Sequence, residues 1–233
     1  MVIEYLLQQR IDVLCLQEAG SIDWKEELIP GYAQHKNHDS VILYNKNKIG
    51  NIRADLMEQY GQELDFNNDS AWIFTDKNYL IMSIHLKAKK INLEQAKSLF
   101  STLRSIKATH PLLKIVLGMD ANHFLETANL FNDDGQQMFF IKPDVRDKPT
   151  TIKKRTFMQA QYKKAGVAVS EVKDHIATTN QIVDSRIEKV NGEESTDELL
   201  PNDTHPYDHY IVRSVIKFIW LNHRNFPNVI TIE

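Results

Sequence analysis

The chain has 233 residues and a formal net charge of −3 at neutral pH, and 42% of its residues are hydrophobic and 25% charged. This length suits one large domain or two small ones, and the composition is that of a globular protein. The slightly acidic balance excludes a strong overall positive field for nucleic acid, although a local basic patch can still serve. The single cysteine, Cys15, excludes an internal disulfide framework, and its apolar surroundings predict a buried, unreactive thiol.

Targeting and membrane segments are not indicated by the sequence. No stretch approaches the roughly 20 apolar residues of a membrane-spanning helix. The first residues, Met1 to Tyr5, lack the basic start and the long apolar core of a signal peptide. We therefore expect an intracellular protein, cytoplasmic or nuclear, and we leave its oligomeric state open.

Apolar periodicity predicts a single domain over residues 1–233 with more strand than helix. Residues 2–10 are expected to form a helix that leads directly into a strand over 12–17. Helical spacing of apolar residues predicts a second helix over 93–109, ended by His110-Pro111. Further strands are predicted from short β-branched runs at 40–44, 71–75, 79–85, 114–119, 176–179 and 210–219.

Two later stretches are not assigned to the core of the domain. The polar, acidic segment 191–204 is predicted to be a surface loop. Residues 220–233 are a C-terminal tail whose apolar side chains either pack back on the domain or meet a partner.

Polar residues stand at the ends of several predicted strands, where the active sites of layered α/β folds collect. Glu18 follows an apolar strand, so its carboxylate is either a ligand for a hard divalent cation or a solvated acid. His85 either protonates a leaving alkoxide or donates a hydrogen bond to a phosphate oxygen, or it is a half-buried strand histidine. Asp120 and Asn122 point to one side if the chain is extended, which suits water activation, and a plain turn is the alternative.

An Asp-His pair precedes the last predicted strand. Asp208 can supply a metal-side carboxylate, and His209 an imidazolium that stabilises charge on a reacting phosphoryl group. Asp174 can pair with His209 and orient it. The adjacent His175 should point the opposite way along its strand, so we predict a structural role for it.

A basic stretch, residues 148–164, lies between the Asp120 motif and Asp174. It concentrates positive charge in a slightly acidic chain, and it can contact a polyanion. A solvated basic helix from about residue 157 is the alternative interpretation. The candidate substrate-binding residues in this stretch are Lys153, Lys154 and Arg155.

Taken together and in order, these motifs resemble the endonuclease/exonuclease/phosphatase superfamily, the family of DNase I. The resemblance runs from about residue 12 to about residue 219. It implies an α/β (α+β) fold, the DNase I-like four-layer sandwich of two packed, mostly antiparallel β-sheets flanked by helices. The motifs are Leu16-Gln17-Glu18, His85-Leu86-Lys87, Gly118-Met119-Asp120-Ala121-Asn122, Asp174-His175-Ile176 and Asp208-His209.

The resemblance also implies a set of roles. Glu18 and Asp208 would lie at a Mg²⁺ ion, for which Mn²⁺ could substitute, and Asp120 would orient or deprotonate the attacking water. Asn122 would hold the phosphate or Asp120, and His209 would contact the phosphoryl oxygens with support from Asp174. His85 matches a histidine of the DNase-, deadenylase- and sphingomyelinase-like branches.

Three positions depart from the family pattern. The usual first strand, with its active-site asparagine, is missing ahead of Leu16. Tyr207 stands where the family usually has a serine before Asp208, and one extra residue separates Gly118 from Asp120.

The first functional interpretation is a Mg²⁺-dependent nuclease with DNA or RNA as its substrate and partner. One alternative is a phosphatase or phosphodiesterase for a small substrate such as a phosphoinositide, nucleotide or sphingolipid. The other is a non-catalytic binding scaffold of the same fold. Affinity that falls steeply with salt would indicate the nuclease, and a closed pocket would indicate the small-substrate enzyme.

Overall fold

The computed structural model describes residues 10–20, 30–65, 69–86, 92–122, 138–143, 150–154, 168–189, 193–194, 209, 211–218 and 228–232, with the backbone alone at 92–93, 151–154, 168–171, 218 and 228–232. The helices in these ranges are α1 (Lys46–Ile49), α2 (Ala54–Leu64) and α3 (Asn92–Thr109). The strands are β1 (Val13–Leu16), β2 (Tyr32–Asn37), β3 (Ser40–Asn45), β4 (Ser70–Phe74), β5 (Tyr79–His85), β6 (Lys114–Asp120), β7 (Phe140–Lys142), β8 (Thr151–Lys154), β9 (Ala168–Glu171), β10 (Asp174–Thr178), β11 (Gln181–Glu188), β12 (Ile211–Phe218) and β13 (Asn228–Ile232).

Two sheets organise the described part of the chain. The six-stranded sheet has the order β11-β12-β13-β1-β3-β2, and the five-stranded sheet has the order β4-β5-β6-β10-β7. β8 and β9 form a separate antiparallel pair. Among the described pairings, β1 with β13 and β5 with β6 are parallel and the others are antiparallel. The mostly antiparallel arrangement of the prediction is therefore confirmed.

Side-chain alternation along β1 shows how the layers pack. Val13 and Cys15 belong to the buried cluster between the two sheets, whereas Leu14 belongs to a cluster on the opposite face of the six-stranded sheet. The other face of the five-stranded sheet is covered by α2 and α3, whose apolar residues join a third cluster. The two sheets and the α2–α3 layer are three layers of the sandwich. The described residues do not test the predicted fourth layer.

Most predicted elements that fall on described residues agree with the structure to within two residues. The structure also contains several elements that the sequence did not predict. The helix at 93–109 and the strands at 40–44, 71–75, 79–85 and 114–119 are present. The tail packs back on the domain, because β13 pairs with β12 and with β1. Residues 2–9 of the helix predicted at 2–10, the alternative helix from about 157, and most of the loop at 191–204 lie outside the described residues. Among the described helices, none has the length and apolarity needed to cross a lipid bilayer.

Gly118 marks a close approach between the two sheets. A Cβ atom added there would lie 2.4 Å from the Cβ of Cys15 and 3.0 Å from its Sγ. Burial raises the pKa of Cys15 to about 12, as expected for an unreactive thiol packed in this contact. The glycine in the strand therefore reflects packing against β1 as well as any role in the neighbouring Asp120 motif.

We expect Gly118→Ala to destabilise the fold by about 1–3 kcal/mol, because both clashing carbons are fixed to backbone. Urea unfolding monitored by circular dichroism measures this change. Gly61→Ala in α2 is the matched control, since its added Cβ would meet only the Cζ2 atom of Trp72, at 3.9 Å. That control should gain roughly 0.5–1 kcal/mol from helix propensity, and equal stability of the two variants would contradict the packing argument.

Candidate active site

Three strand ends place acidic and imidazole side chains in one row of the five-stranded sheet. β5 ends at His85 and β6 ends at Asp120, and these two residues are directly paired. β10 begins at Asp174, which is directly paired with Asp120 on the other side. Because directly paired residues point to the same face of a sheet, the three side chains lie side by side.

Asp120 is the central and most deeply buried group of the row. Its residue is 9% exposed, and its Oδ1 accepts a 2.7 Å hydrogen bond from the backbone N–H of Asn122. Burial, and then the negative charge of Asp174, raises the pKa of Asp120 to about 6, against opposing effects that include His209 and the Asn122 hydrogen bond. A carboxylate with a pKa near neutrality is suited to take a proton from water.

Asn122 fixes the orientation of His85. Its Nδ2 donates to the backbone oxygen of Leu86 at 2.8 Å and lies 3.0 Å from Nε2 of His85. A carbonyl oxygen can only accept, so the amide nitrogen must face Leu86, and the His85 Nε2 then accepts from the same nitrogen. This hydrogen bonding assigns the ring proton of His85 to Nδ1. In this arrangement His85 is an acceptor at Nε2.

His209 and Asp174 form a hydrogen-bonded pair. The Nδ1 atom of His209 lies 2.8 Å and 3.0 Å from the two carboxylate oxygens of Asp174. Both side chains are mostly buried, with 24% and 16% of their surfaces exposed. The buried hydroxyl of Thr150 accepts hydrogen bonds from the backbone N–H groups of Lys173 and Asp174, at 2.9 Å and 3.1 Å. Thr150 therefore fixes the start of β10, and with it the imidazole of His209.

Glu18 approaches this row from the six-stranded sheet. It follows β1 in a left-handed backbone conformation, with φ of 54°, and 77% of its side chain is exposed. Its Oε1 lies 3.9 Å from Nε2 of His85, which in turn lies 3.8 Å from Oδ2 of Asp120. The turn between β2 and β3 supports this segment, since the backbone N–H of Ala19 donates to the oxygen of Asp39 at 2.8 Å.

The donor atoms at this end of the sandwich fit a divalent cation. Asp120, Asp174 and His209 each offer a ligand atom, and these atoms lie within 4.8 Å of one another. The carboxylate of Glu18 adds a further exposed oxygen donor beside His85. An oxygen-rich set of this kind suits Mg²⁺ or Mn²⁺, and a cation would offset the repulsion between the neighbouring carboxylates.

The structure brings together six of the residues selected from the sequence. They are Glu18, His85, Asp120, Asn122, Asp174 and His209. Lys153 and Lys154 lie in β8, where the backbone is described and the side chains are not. Arg155 and the metal-side candidate Asp208 lie outside the described residues.

The sequence analysis missed two residues that support the site through hydrogen bonds. Ser83 stands two residues before His85 on the same face of β5, so strand alternation could have indicated it. Thr150 contacts the start of β10 from 24 residues away, and no local pattern marks it.

Comparison with known proteins gives matches among solved structures only: no family model matches the chain, and no curated protein does. TDP2 from C. elegans has a TM-score of 0.55 and 14% identity; the match covers 91% of this chain but 66% of that chain, just under two thirds. The mannosyl-6-phosphatase Bt3783 of Bacteroides thetaiotaomicron VPI-5482 has a TM-score of 0.57 and 15% identity, covering 91% of this chain and 87% of that one. The endonuclease domain of TRAS1, a telomere-specific non-LTR retrotransposon, has a TM-score of 0.52 and 12% identity, covering 90% and 87%.

These matches span nearly the whole chain, and their low identities make them evidence of the fold. The two packed, mostly antiparallel sheets agree with that assignment. The chain has a DNase I-like fold.

Proposed function

We propose that this chain is a metal-dependent phosphoesterase that hydrolyses phosphodiester bonds. The observation that carries the proposal is the buried group of Asp120, Asp174 and His209, whose ligand atoms lie within 4.8 Å of one another. His85 and Asn122 adjoin this group, and Glu18 faces it from the other sheet. A base with a raised pKa, an oriented imidazole and clustered carboxylates are the groups that phosphate hydrolysis needs.

In the proposed reaction, Asp120 accepts a proton from water as the water oxygen forms a bond to phosphorus. The backbone N–H of Asn122 holds the carboxylate in place for this step. His209, with its Nδ1–H donated to Asp174, presents Nε2–H to a non-bridging phosphoryl oxygen as negative charge builds there. The bond from phosphorus to the leaving oxygen breaks in line, and the alcohol takes its proton from solvent.

Glu18 would hold the cation, with Asp208 as a further carboxylate in the motif beside His209, so that Asp120 serves as the base. When bound, a Mg²⁺ or Mn²⁺ ion neutralises phosphate charge and so lowers the repulsion of the incoming nucleophile.

A nucleic acid is the proposed substrate class. One structural neighbour is an endonuclease domain, and the basic stretch of Lys153, Lys154 and Arg155 supplies charge for a polyanion.

A phosphatase for a small substrate is the second candidate, favoured by the likeness to a mannosyl-6-phosphatase. It requires a phosphomonoester to be turned over faster than any polymer. Salt dependence separates the two candidates, because a protein that tracks phosphates loses affinity steeply as salt rises.

The test is hydrolysis of a labelled panel with Mg²⁺, with Mn²⁺ and with EDTA. The panel contains duplex DNA, abasic DNA, single-stranded DNA, RNA, a phosphoinositide, mannose 6-phosphate and bis-p-nitrophenyl phosphate. We expect metal-dependent cleavage of a nucleic acid that EDTA abolishes. No turnover of any substrate, together with no metal binding by calorimetry, would contradict the enzyme hypothesis. The binding scaffold of the same fold would then be the remaining interpretation.

A further inference from the structure

The proposed site is divided between the two sheets. Glu18 follows β1 of the six-stranded sheet, whereas His85 and Asp120 end strands of the five-stranded sheet. Backbone ladders fix spacing within a sheet, but facing sheets are held by side chains. The distance between Glu18 and the His85–Asp120 pair therefore depends on whatever links the two sheets next to it.

Such a link lies directly beneath the site. The Nε2 atom of Gln17 donates to Oγ of Ser83 at 2.9 Å and to the backbone oxygen of Gly118 at 3.3 Å. The hydroxyl of Ser83 donates in turn to the backbone oxygen of Leu16, at 2.8 Å. We name this bridge of Gln17, Ser83 and Gly118 the inter-sheet clasp.

The position of the clasp connects it to the reacting groups. Ser83 is directly paired with Gly118, and the next same-face pair along the two strands is His85 with Asp120. Gln17 immediately precedes Glu18, which has a φ of 54°. Each arm of the clasp therefore ends one or two residues from a proposed catalytic or metal-binding group.

The chemistry of the clasp is specific to an amide at position 17. The amide nitrogen must donate to both partners, since the Gly118 carbonyl only accepts and the Ser83 hydroxyl uses its own hydrogen for Leu16. Ser83 is fully buried and Gly118 lies in a buried strand, so these partly buried bonds meet less competing water than exposed ones do. A second contact, from Sγ of Cys15 to the backbone oxygen of Met82 at 3.4 Å, runs parallel to the clasp two residues away.

We propose that Gln17 is a positioning residue that sets the spacing between the Glu18 carboxylate and the His85–Asp120 pair through its bridge to Ser83 and Gly118. This inference rests on the proposed function, because it treats Glu18 as a carboxylate of the cation site. The Gln17 amide contacts Ser83 and Gly118, so it would act through Glu18.

The test uses Gln17→Met and Ser83→Ala in the full chain. Gln17→Met preserves side-chain length and removes the amide. Thr75→Val is the control, since it deletes another buried hydroxyl that donates to a backbone oxygen, that of Ile49 at 2.7 Å. Thr75 lies beside the start of β5, at the opposite end of that strand from His85.

Two readouts do not depend on turnover. Mn²⁺ affinity, titrated by electron paramagnetic resonance, should fall about 10-fold or more in Gln17→Met, the usual scale for a group that orients a metal ligand. Amide hydrogen exchange over residues 17–20, followed by mass spectrometry without metal, should quicken at least severalfold. Thr75→Val should change neither quantity, and the double variant Gln17→Met/Ser83→Ala should lose little more affinity than Gln17→Met, because both single changes break one bridge.

Two results would overturn the positioning role. One is wild-type Mn²⁺ affinity and wild-type exchange at 17–20 in Gln17→Met. The other is an equal loss in Thr75→Val, which would indicate general loosening of the sandwich. If the wild-type chain binds no Mn²⁺ and hydrolyses nothing, the proposed function fails separately, and the exchange rates at 17–20 alone decide the clasp.

Discussion

Asp120→Asn should reduce turnover by on the order of 10²–10⁴-fold while leaving the fold intact. The amide is nearly the same size as the carboxylate, and it can still accept the hydrogen bond from the Asn122 backbone. It cannot take a proton from water at neutral pH. The loss should therefore appear in kcat at saturating substrate, and steady-state hydrolysis of the best substrate of the panel measures it.

The same substitution should make the metal-free protein more stable at pH 7.5. The pKa of Asp120 is raised from 3.8 to about 6, so the folded state holds this proton more tightly than the unfolded chain does. Between about pH 4 and pH 6 the wild-type protein in EDTA should lose stability as pH rises, with the full loss above pH 6. That loss is on the order of 1–3 kcal/mol, and the uncharged amide of the Asp120→Asn variant would not incur it.

Urea unfolding in EDTA at pH 4.5 and pH 7.5 checks this second expectation. Asp184→Asn is the control, because Asp184 is an exposed acid of β11 paired with Arg186 and away from the row. The control should keep wild-type turnover and the wild-type dependence of stability on pH. An Asp120→Asn protein that retains full turnover would remove Asp120 from the role of base.

The site could be predicted from the sequence because its residues follow buried strands. Glu18, His85 and Asp120 each stand at the end of a short apolar run, and such runs are easily identified in a sequence. The pairing of Asp174 with His209 was expected from the resemblance to a family, and the structure gives it contacts of 2.8–3.0 Å. Local pattern and family order therefore selected residues that the structure brings together.

The supporting framework was harder to predict because it depends on contacts distant in sequence. β13 pairs with β1 across more than 200 residues, and nothing in the tail marks that partner. β11 lies at an edge of its sheet and is mostly exposed, so it lacks the buried run that indicates a strand. α2, by contrast, buries Tyr60 and Leu64 at helical spacing, so its apolar periodicity could have indicated it.

The clasp shows the same limit within a motif. Gln17 was visible in Leu16-Gln17-Glu18, but its partners Ser83 and Gly118 are 66 and 101 residues away. Only the packing of one sheet on the other brings these groups together. The sequence thus indicated which residues form the candidate site, and the structure supplies the contacts that hold them in register.

His209→Ala should lower kcat by on the order of 10²–10⁴-fold with a much smaller change in KM. In the proposed reaction the imidazole stabilises charge that develops on the phosphoryl oxygens, and an interaction made mainly in the transition state appears in kcat. Stopped-time assays over a range of substrate concentrations separate the two constants. His110→Gln is the control: His110 contacts the hydroxyl of Tyr60 at the end of α3, and this change should leave both constants unaltered.

A change at Asp174, the hydrogen-bond partner of His209, gives a further test of this role. Asp174→Asn keeps a polar group 2.8 Å from Nδ1 but removes the charge that favours a protonated, correctly oriented ring. Its kcat should fall by roughly 10–10³-fold, which is less than the loss in His209→Ala. Because Asp174 acts through the imidazole, the double variant should have a kcat no lower than that of His209→Ala alone. Additive losses in the double variant would instead give Asp174 a role of its own, as a ligand of the cation that the clustered donors of Asp120, Asp174 and His209 can hold.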